Sequence, residues 1–137
     1  MSYDIDDIKV NEEGTEMQIV HPGTGEPLYD EVIDEETGKI TMEPVFLKLV
    51  GQDSAIFRKI QNRITNKRAK MRPGQLTAER LDSDVAQLVE ACTVGWSSNL
   101  VLSGVAPTNA KEIYQGNKWL REQAEVHIHD RANYLGN

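Results

Sequence analysis

Residues 45–60 read Val45-Phe46-Leu47-Lys48-Leu49-Val50-Gly51-Gln52-Asp53-Ser54-Ala55-Ile56-Phe57-Arg58-Lys59-Ile60, and the fold class turns on the change of pattern at Gly51. Before it, β-branched and aromatic residues crowd together, the composition of a strand. After it the period is helical. Asp53 or Ser54 can cap a helix in which Ile56, Ile60 and Ile64 recur at i, i+4 and i+8. The chain is therefore expected to be mainly α, with about four helices and a small N-terminal β-hairpin or meander, an α+β fold.

Upstream of this break the pattern is extended. Met17, Ile19 and His21 alternate with Gln18 and Val20 up to Pro22-Gly23, which predicts a short strand. Residues 22–27 are turn chemistry from end to end. Leu28 to Ile33 forms a second strand candidate, residues 34–39 an exposed turn, and Ile40 to Val50 a third β-rich run. Residues 1–15 are acidic and carry no period, so they read as a frayed, flexible arm. The expected organisation is that arm followed by a single domain over 16–137, with a β element over 16–50 and a helical part over 53–137.

Downstream, Pro73-Gly74 ends the first helix. A second helix from about Thr77 places Leu81, Val85, Leu88, Val89 and Cys92 on one stripe, with Gly95 as its expected stop. A Ser- and Gly-rich loop runs from Ser97 to Pro107. Thr108 is the expected cap of a short third helix with Ala110, Ile113 and Tyr114, halted by Gly116. Asn117 then caps a fourth, in which Leu120, Ala124, His127, Ile128 and Arg131 share a face.

At 137 residues the chain is the size of one domain. One cysteine, Cys92, allows neither an internal disulfide framework nor a Cys-rich zinc site. No apolar run reaches membrane-spanning length, and the first residues lack the pattern of a signal peptide. A soluble, reduced, intracellular protein is expected. The net charge of −7 is unevenly spread: −11 over residues 1–43, +7 over 44–72 and −3 over 73–137. Either the acidic arm folds onto the basic segment or each addresses a different partner. So acidic a chain repels nucleic acid beyond a Debye length of about 8–10 Å, and nucleic-acid binding is disfavoured.

Catalytic motifs are scarce. The chain has no phosphate-binding loop, dinucleotide fingerprint, H-E-x-x-H or G-x-S-x-G. Gly23-x-Gly25 precedes no helix signature and reads as a plain turn. His127 and His129, two apart on a helix, point about 200° from each other and cannot share one metal. Cys92 lies in an apolar stripe with no adjacent base and reads as a buried, inert thiol. No catalytic residue, cofactor or metal is expected. Trp96 and Trp119 read either as core or as interface anchors. The basic helix with Arg58, Lys59, Arg63, Lys67, Arg68 and Lys70 reads as a solvated face or a docking surface. Phe57 alone is too little for a base-stacking platform.

Three short motifs recur in order: Val94-Gly95-Trp96-Ser97, then Trp119-Leu120-Arg121-Glu122-Gln123, then Asp130-Arg131-Ala132-Asn133-Tyr134-Leu135. With Val50-Gly51-Gln52-Asp53-Ser54 and Phe57-Arg58 ahead of them, they make residues 17–135 resemble the tail assembly chaperones of long-tailed (siphovirus-type) bacteriophages. The arm has no counterpart in that pattern. Val105-Ala106-Pro107-Thr108-Asn109 replaces the family's aromatic-Ser/Thr-Pro-Glu-Asn run.

The resemblance implies an assembly factor rather than an enzyme. Such a factor binds the tape measure protein, helps deliver the tail tube protein, works in the host cell cytoplasm and is absent from the mature virion. It also implies a longer, frameshifted form of the chain as a partner; Leu135-Gly136-Asn137 is compatible with a slippery G-GGA-AAY heptamer. Trp96, Trp119, Arg121, Arg131, Tyr134, Arg58 and Arg63 are then the expected partner-binding residues. Against the partner-binding role stand local ones: Gly95 and Trp96 ending a helix and plugging the core, and arginines pairing along their own helix. Rival functions are a tail tube or tail completion protein retained in the virion, and a small nucleic-acid-binding regulator.

Overall fold

The computed structural model describes residues 2–135. Among them are strands β1 (Thr15–Gln18), β2 (Tyr29–Ile33), β3 (Ile40–Pro44), β4 (Phe46–Leu49) and β5 (Thr93–Trp96). The helices are α1 (Ala55–Ala69), α2 (Ala78–Cys92), α3 (Ala110–Tyr114) and α4 (Lys118–His129). The fold is α+β, with more extensive strands than a small N-terminal hairpin.

Strand β4 is the centre of a three-stranded antiparallel sheet, between β1 and β5. Met17 faces Leu47, and Leu47 in turn faces Trp96. The alternation of β4 drives Leu47 and Leu49 wholly into the core, where they meet Val89 and Cys92 of α2, Ile113 and Tyr114 of α3, and Leu120, Ala124 and Ile128 of α4. The last three sit at i, i+4 and i+8 and define the buried stripe of α4.

The β-rich run over residues 40–50 does not stay in one sheet. Strands β2 and β3 form a separate two-stranded hairpin, exposed at every position. The division falls at Val45, whose N–H donates to the Leu28 carbonyl (3.0 Å) while its carbonyl accepts from Ile19 N–H (2.9 Å). Pro44 offers no N–H to a ladder, a residue type confined to strand ends and edges.

Helix α1 is capped by Ser54, whose hydroxyl accepts from Phe57 N–H, and α2 by Thr77, which accepts from Arg80 N–H, as local capping chemistry predicts. The isoleucine stripe of α1 is unevenly covered: Ile64 is buried and Ile56 exposed. The Arg68 guanidinium meets the buried Asp84 carboxylate at 2.9 Å and ties α1 to α2.

Two expectations are corrected. Gly95 does not stop α2. The helix ends at Cys92, and Thr93–Trp96 leaves it as β5, pairing with the open edge of β4. Gly95 also lacks the positive φ of a helix-ending glycine. Thr93 makes the switch: its hydroxyl donates back to the Val89 carbonyl (2.8 Å) and lies 2.6 Å from the Tyr114 hydroxyl. The second correction concerns α3, which is capped by Asn109, whose Oδ1 accepts from Glu112 N–H. The Thr108 hydroxyl is taken up as a donor to the Glu112 carboxylate, which accepts from Thr108 N–H too. Asn109 is left to accept from the helix.

Near the N-terminus, Val10 bridges to Leu135 and Asn11 N–H donates to the Tyr134 carbonyl at 2.8 Å. The Glu12 carboxylate accepts from Ala55 N–H at the start of α1 (2.9 Å), where the helix dipole favours negative charge. Among the described residues the ion pairs are Arg68–Asp84, Arg121–Asp82 and Arg131–Asp53, so none joins the acidic arm to α1. No described helix is long and apolar enough to cross a membrane. The slippage reading at residues 135–137 involves Gly136 and Asn137, which lie outside the described residues.

Candidate functional site

A groove of about 700 Å³ opens between α4 and the turn that follows β1. Residues 21–26 build its first wall. His21 N–H donates to the Glu26 carbonyl, Gly25 N–H closes back on the His21 carbonyl, and the His21 Nδ1 accepts from Gly23 and Thr24 N–H. Gly25 takes φ +73°, which glycine adopts without strain. Helix α4 holds this wall with one side chain. The Gln123 carboxamide accepts from Val20 N–H (3.1 Å) and donates to the Val20 carbonyl (2.7 Å), as a neighbouring strand would.

The second wall is a face of α4 distinct from its buried stripe. Trp119, Glu122, Gln123 and Val126 recur at i, i+3, i+4 and i+7. Val126 is 71% exposed, an aliphatic side chain that the fold leaves uncovered. Met17, Val20 and Pro22 supply further apolar lining, and Glu122 and Asp130 are its carboxylates; no Lys or Arg lines it. The groove lining is thus mainly apolar, with two carboxylates and, among the described residues, no balancing cation. Such a surface accepts an apolar segment that carries cations.

His127 lies deeper in the groove. Asn133 Nδ2 approaches its Nδ1 at 3.3 Å, and its Nε2 lies 2.8 Å from Thr15 Oγ1. The Asn133 Nδ2 amide nitrogen can only donate, so the network assigns the proton to Nε2. Burial lowers the proton affinity of this imidazole, and the nearby Asp130 only partly opposes that. His129 points elsewhere, stacking edge-to-face on Phe57 with ring centroids 5.6 Å apart. The two histidines therefore do not converge, and among the described residues no cluster of three or more His, Cys, Asp or Glu could hold a metal ion. Cys92 is fully buried, and burial pushes its thiol up to about 12, far from the thiolate that nucleophilic chemistry needs.

No protein-family model, curated protein or solved structure matches this chain.

The seven residues singled out from sequence do not gather at one place. Trp119 alone lines the groove. Trp96 sits on β5 opposite Leu47, half-buried against the core. Arg121 points from α4 to Asp82 of α2, its side chain largely buried. Arg131 makes a two-pronged pair with Asp53 (2.8 and 3.2 Å), and Tyr134 is buried over Gly51. Arg58 and Arg63 are exposed on α1. Sequence reading missed Val126 and Val20. The available signal was a second apolar spacing, Trp119 to Val126, running beside the buried stripe of α4.

Proposed function

We propose that this protein is a binding factor rather than an enzyme, a phage tail assembly chaperone that holds the tape measure protein in the groove along α4. The observation that carries the proposal is the lining that α4 gives the groove, with Trp119 and the exposed Val126 two turns apart on one face and no described residue covering Val126. A tape measure is a long amphipathic helix with no core of its own, and a helix-in-groove mode gives its apolar stripe cover. The resemblance carried by Val94–Ser97, Trp119–Gln123 and Asp130–Leu135 points to the same role. The Glu122 and Asp130 carboxylates of the groove favour a segment that carries lysines or arginines, and the net charge of −7 keeps a loaded complex soluble by like-charge repulsion. Delivery of tail tube subunits, partnership with a frameshifted longer form, action in the host cytoplasm and absence from the mature virion belong to the same proposal.

Co-expression with a tape measure protein followed by pull-down tests the binding. A stable complex that is lost in Val126→Asp supports the reading, and no complex at all removes it. Mass spectrometry of purified virions separates this role from a retained tube or completion subunit, since a chaperone should be missing from the particle.

A further inference from the structure

Two surfaces of this molecule carry opposite charge, and no ion pair among the described residues neutralises either. The first is the β2–β3 hairpin. Residues 29–44 hold six carboxylates and one lysine, all exposed. The register sets Asp30 directly opposite Glu43, a like-charge cross-strand pair that weakens a hairpin already lacking a third strand. The second is the outer face of α1. Lys59, Asn62, Arg63, Asn66, Lys67 and Lys70 recur at i, i+3, i+4, i+7, i+8 and i+11 along a shallow groove, on a helix containing no acidic residue. The two surfaces are also comparable in length. Lys59 to Lys70 spans about 16 Å of helix axis, and a five-residue strand about 13 Å from its first Cα to its last. Within one molecule they stay apart, because β2 and β3 pack chiefly on each other while α1 packs on α2.

We propose that the occupant of the basic stripe of α1 is the acidic hairpin of a second copy of this chain. A lysine or arginine of the stripe then enters between Asp30 and Glu43, removing the repulsion the isolated hairpin carries, and the Asn62 and Asn66 amides are at hand for the remaining carboxylate oxygens. The two patches differ, so the junction is heterologous. Each copy that docks its hairpin still offers its own α1, and association continues into a ring or an open chain rather than stopping at two. The junction uses none of the residues lining the α4 groove, so it stands or falls separately from the chaperone reading.

Sedimentation equilibrium of the full chain tests it. In about 25 mM salt the weight-average mass should rise with protein concentration above the 15.4 kDa of one chain. At about 0.5 M, where the Debye length is about 4 Å, it should fall back to one chain. The hairpin variant Asp30→Lys/Glu43→Lys and the helix variant Arg63→Glu/Lys67→Glu should each be monomeric at both salts. Mixed in equal amounts they should associate again, because each supplies what the other has lost. The neutral variant Asp30→Asn/Glu43→Gln, which cannot create repulsion with α1, should weaken association as well. A wild-type chain monomeric at low salt overturns the proposal. So does a hairpin variant that associates like wild type, or a mixture that stays monomeric while both variants keep their helical circular dichroism. Low-salt retention of the wild-type chain on immobilised DNA without self-association also overturns it, and assigns the stripe to a polyanion.

Discussion

Gly51 lies flat beneath the ring of Tyr134: a Cβ built on Gly51 would stand 2.5 Å from Tyr134 Cδ2 and 2.7 Å from Cε2 and Cγ. Two stretches 83 residues apart thereby meet, and other contacts join them. Gln52 N–H donates to the Ile128 carbonyl at 3.2 Å, and Arg131 grips Asp53. The stretch that begins the helical part and the one near the end of the chain form one structural knot.

Gly51→Ala should therefore destabilise the fold by about 1–3 kcal/mol or more, the cost of overfilling a packed site, read from urea midpoints. Tyr134→Ala opens the space that the added methyl needs. The double variant should be less destabilised than the sum of the two singles, with a coupling of about 0.5–3 kcal/mol for residues in contact. Strict additivity would show that the close approach is not what makes glycine necessary.

The two tryptophans should part company. Trp119→Ala removes a wall of the groove that is also half-buried against the core, so beyond some loss of stability it should weaken tape measure binding by about 2 kcal/mol or more if it is a hot spot, with the chain still folded. Trp96→Ala removes a half-buried side chain from the edge strand of the sheet. Its effect should appear in thermal unfolding, at or below the roughly 3–5 kcal/mol of a fully buried tryptophan. Equal losses of affinity from both would contradict the separation of the two positions.

His127 gives the fold a pH dependence of known sign. Its folded-state proton affinity is lowered by burial, so the unfolded chain binds the proton better. Stability is then full above the ordinary histidine value of about 6.5 and declines as pH falls through it towards the lower folded-state value. Comparing urea midpoints at pH about 7.5 and about 5.5, His127→Gln should lose less than wild type. Every other group is common to the two proteins, so the comparison isolates His127.

Cys92 should resist thiol reagents in the native state at neutral pH. Complete burial and a thiol pushed up to about 12 leave almost no accessible thiolate. Labelling by a maleimide should follow unfolding in urea and not precede it. Rapid labelling without denaturant would place this residue in a segment that opens locally.

Local signals in the sequence settle that there are four helices and where α1, α2 and α4 begin, though not the cap of α3, which moves from Thr108 to Asn109. Ser54 and Thr77 cap with their side chains within one turn, Asn117 holds the N-cap position of α4 while its amide donates back to the Ile113 carbonyl (2.9 Å), and the stripe Leu120, Ala124 and Ile128 repeats at the helical period. Such signals are local, so they are legible without knowing what each element packs against. The hairpin was visible too, because the turn residues over 34–39 separate two strand candidates. Only the tertiary structure decided the rest. Thr93–Trp96 is too short to declare itself a strand; it becomes one because β4, more than forty residues earlier, offers an unpaired edge. Splitting the run over residues 40–50 between two sheets required Ile19 and Leu28 to converge on Val45. Gly51 read as a break between patterns, whereas its reason is the ring of Tyr134. The candidate site was legible only in Trp119. Its other wall is a turn brought to α4 by Gln123 from about a hundred residues away, and no periodicity along one chain segment can register a surface that two distant segments make together.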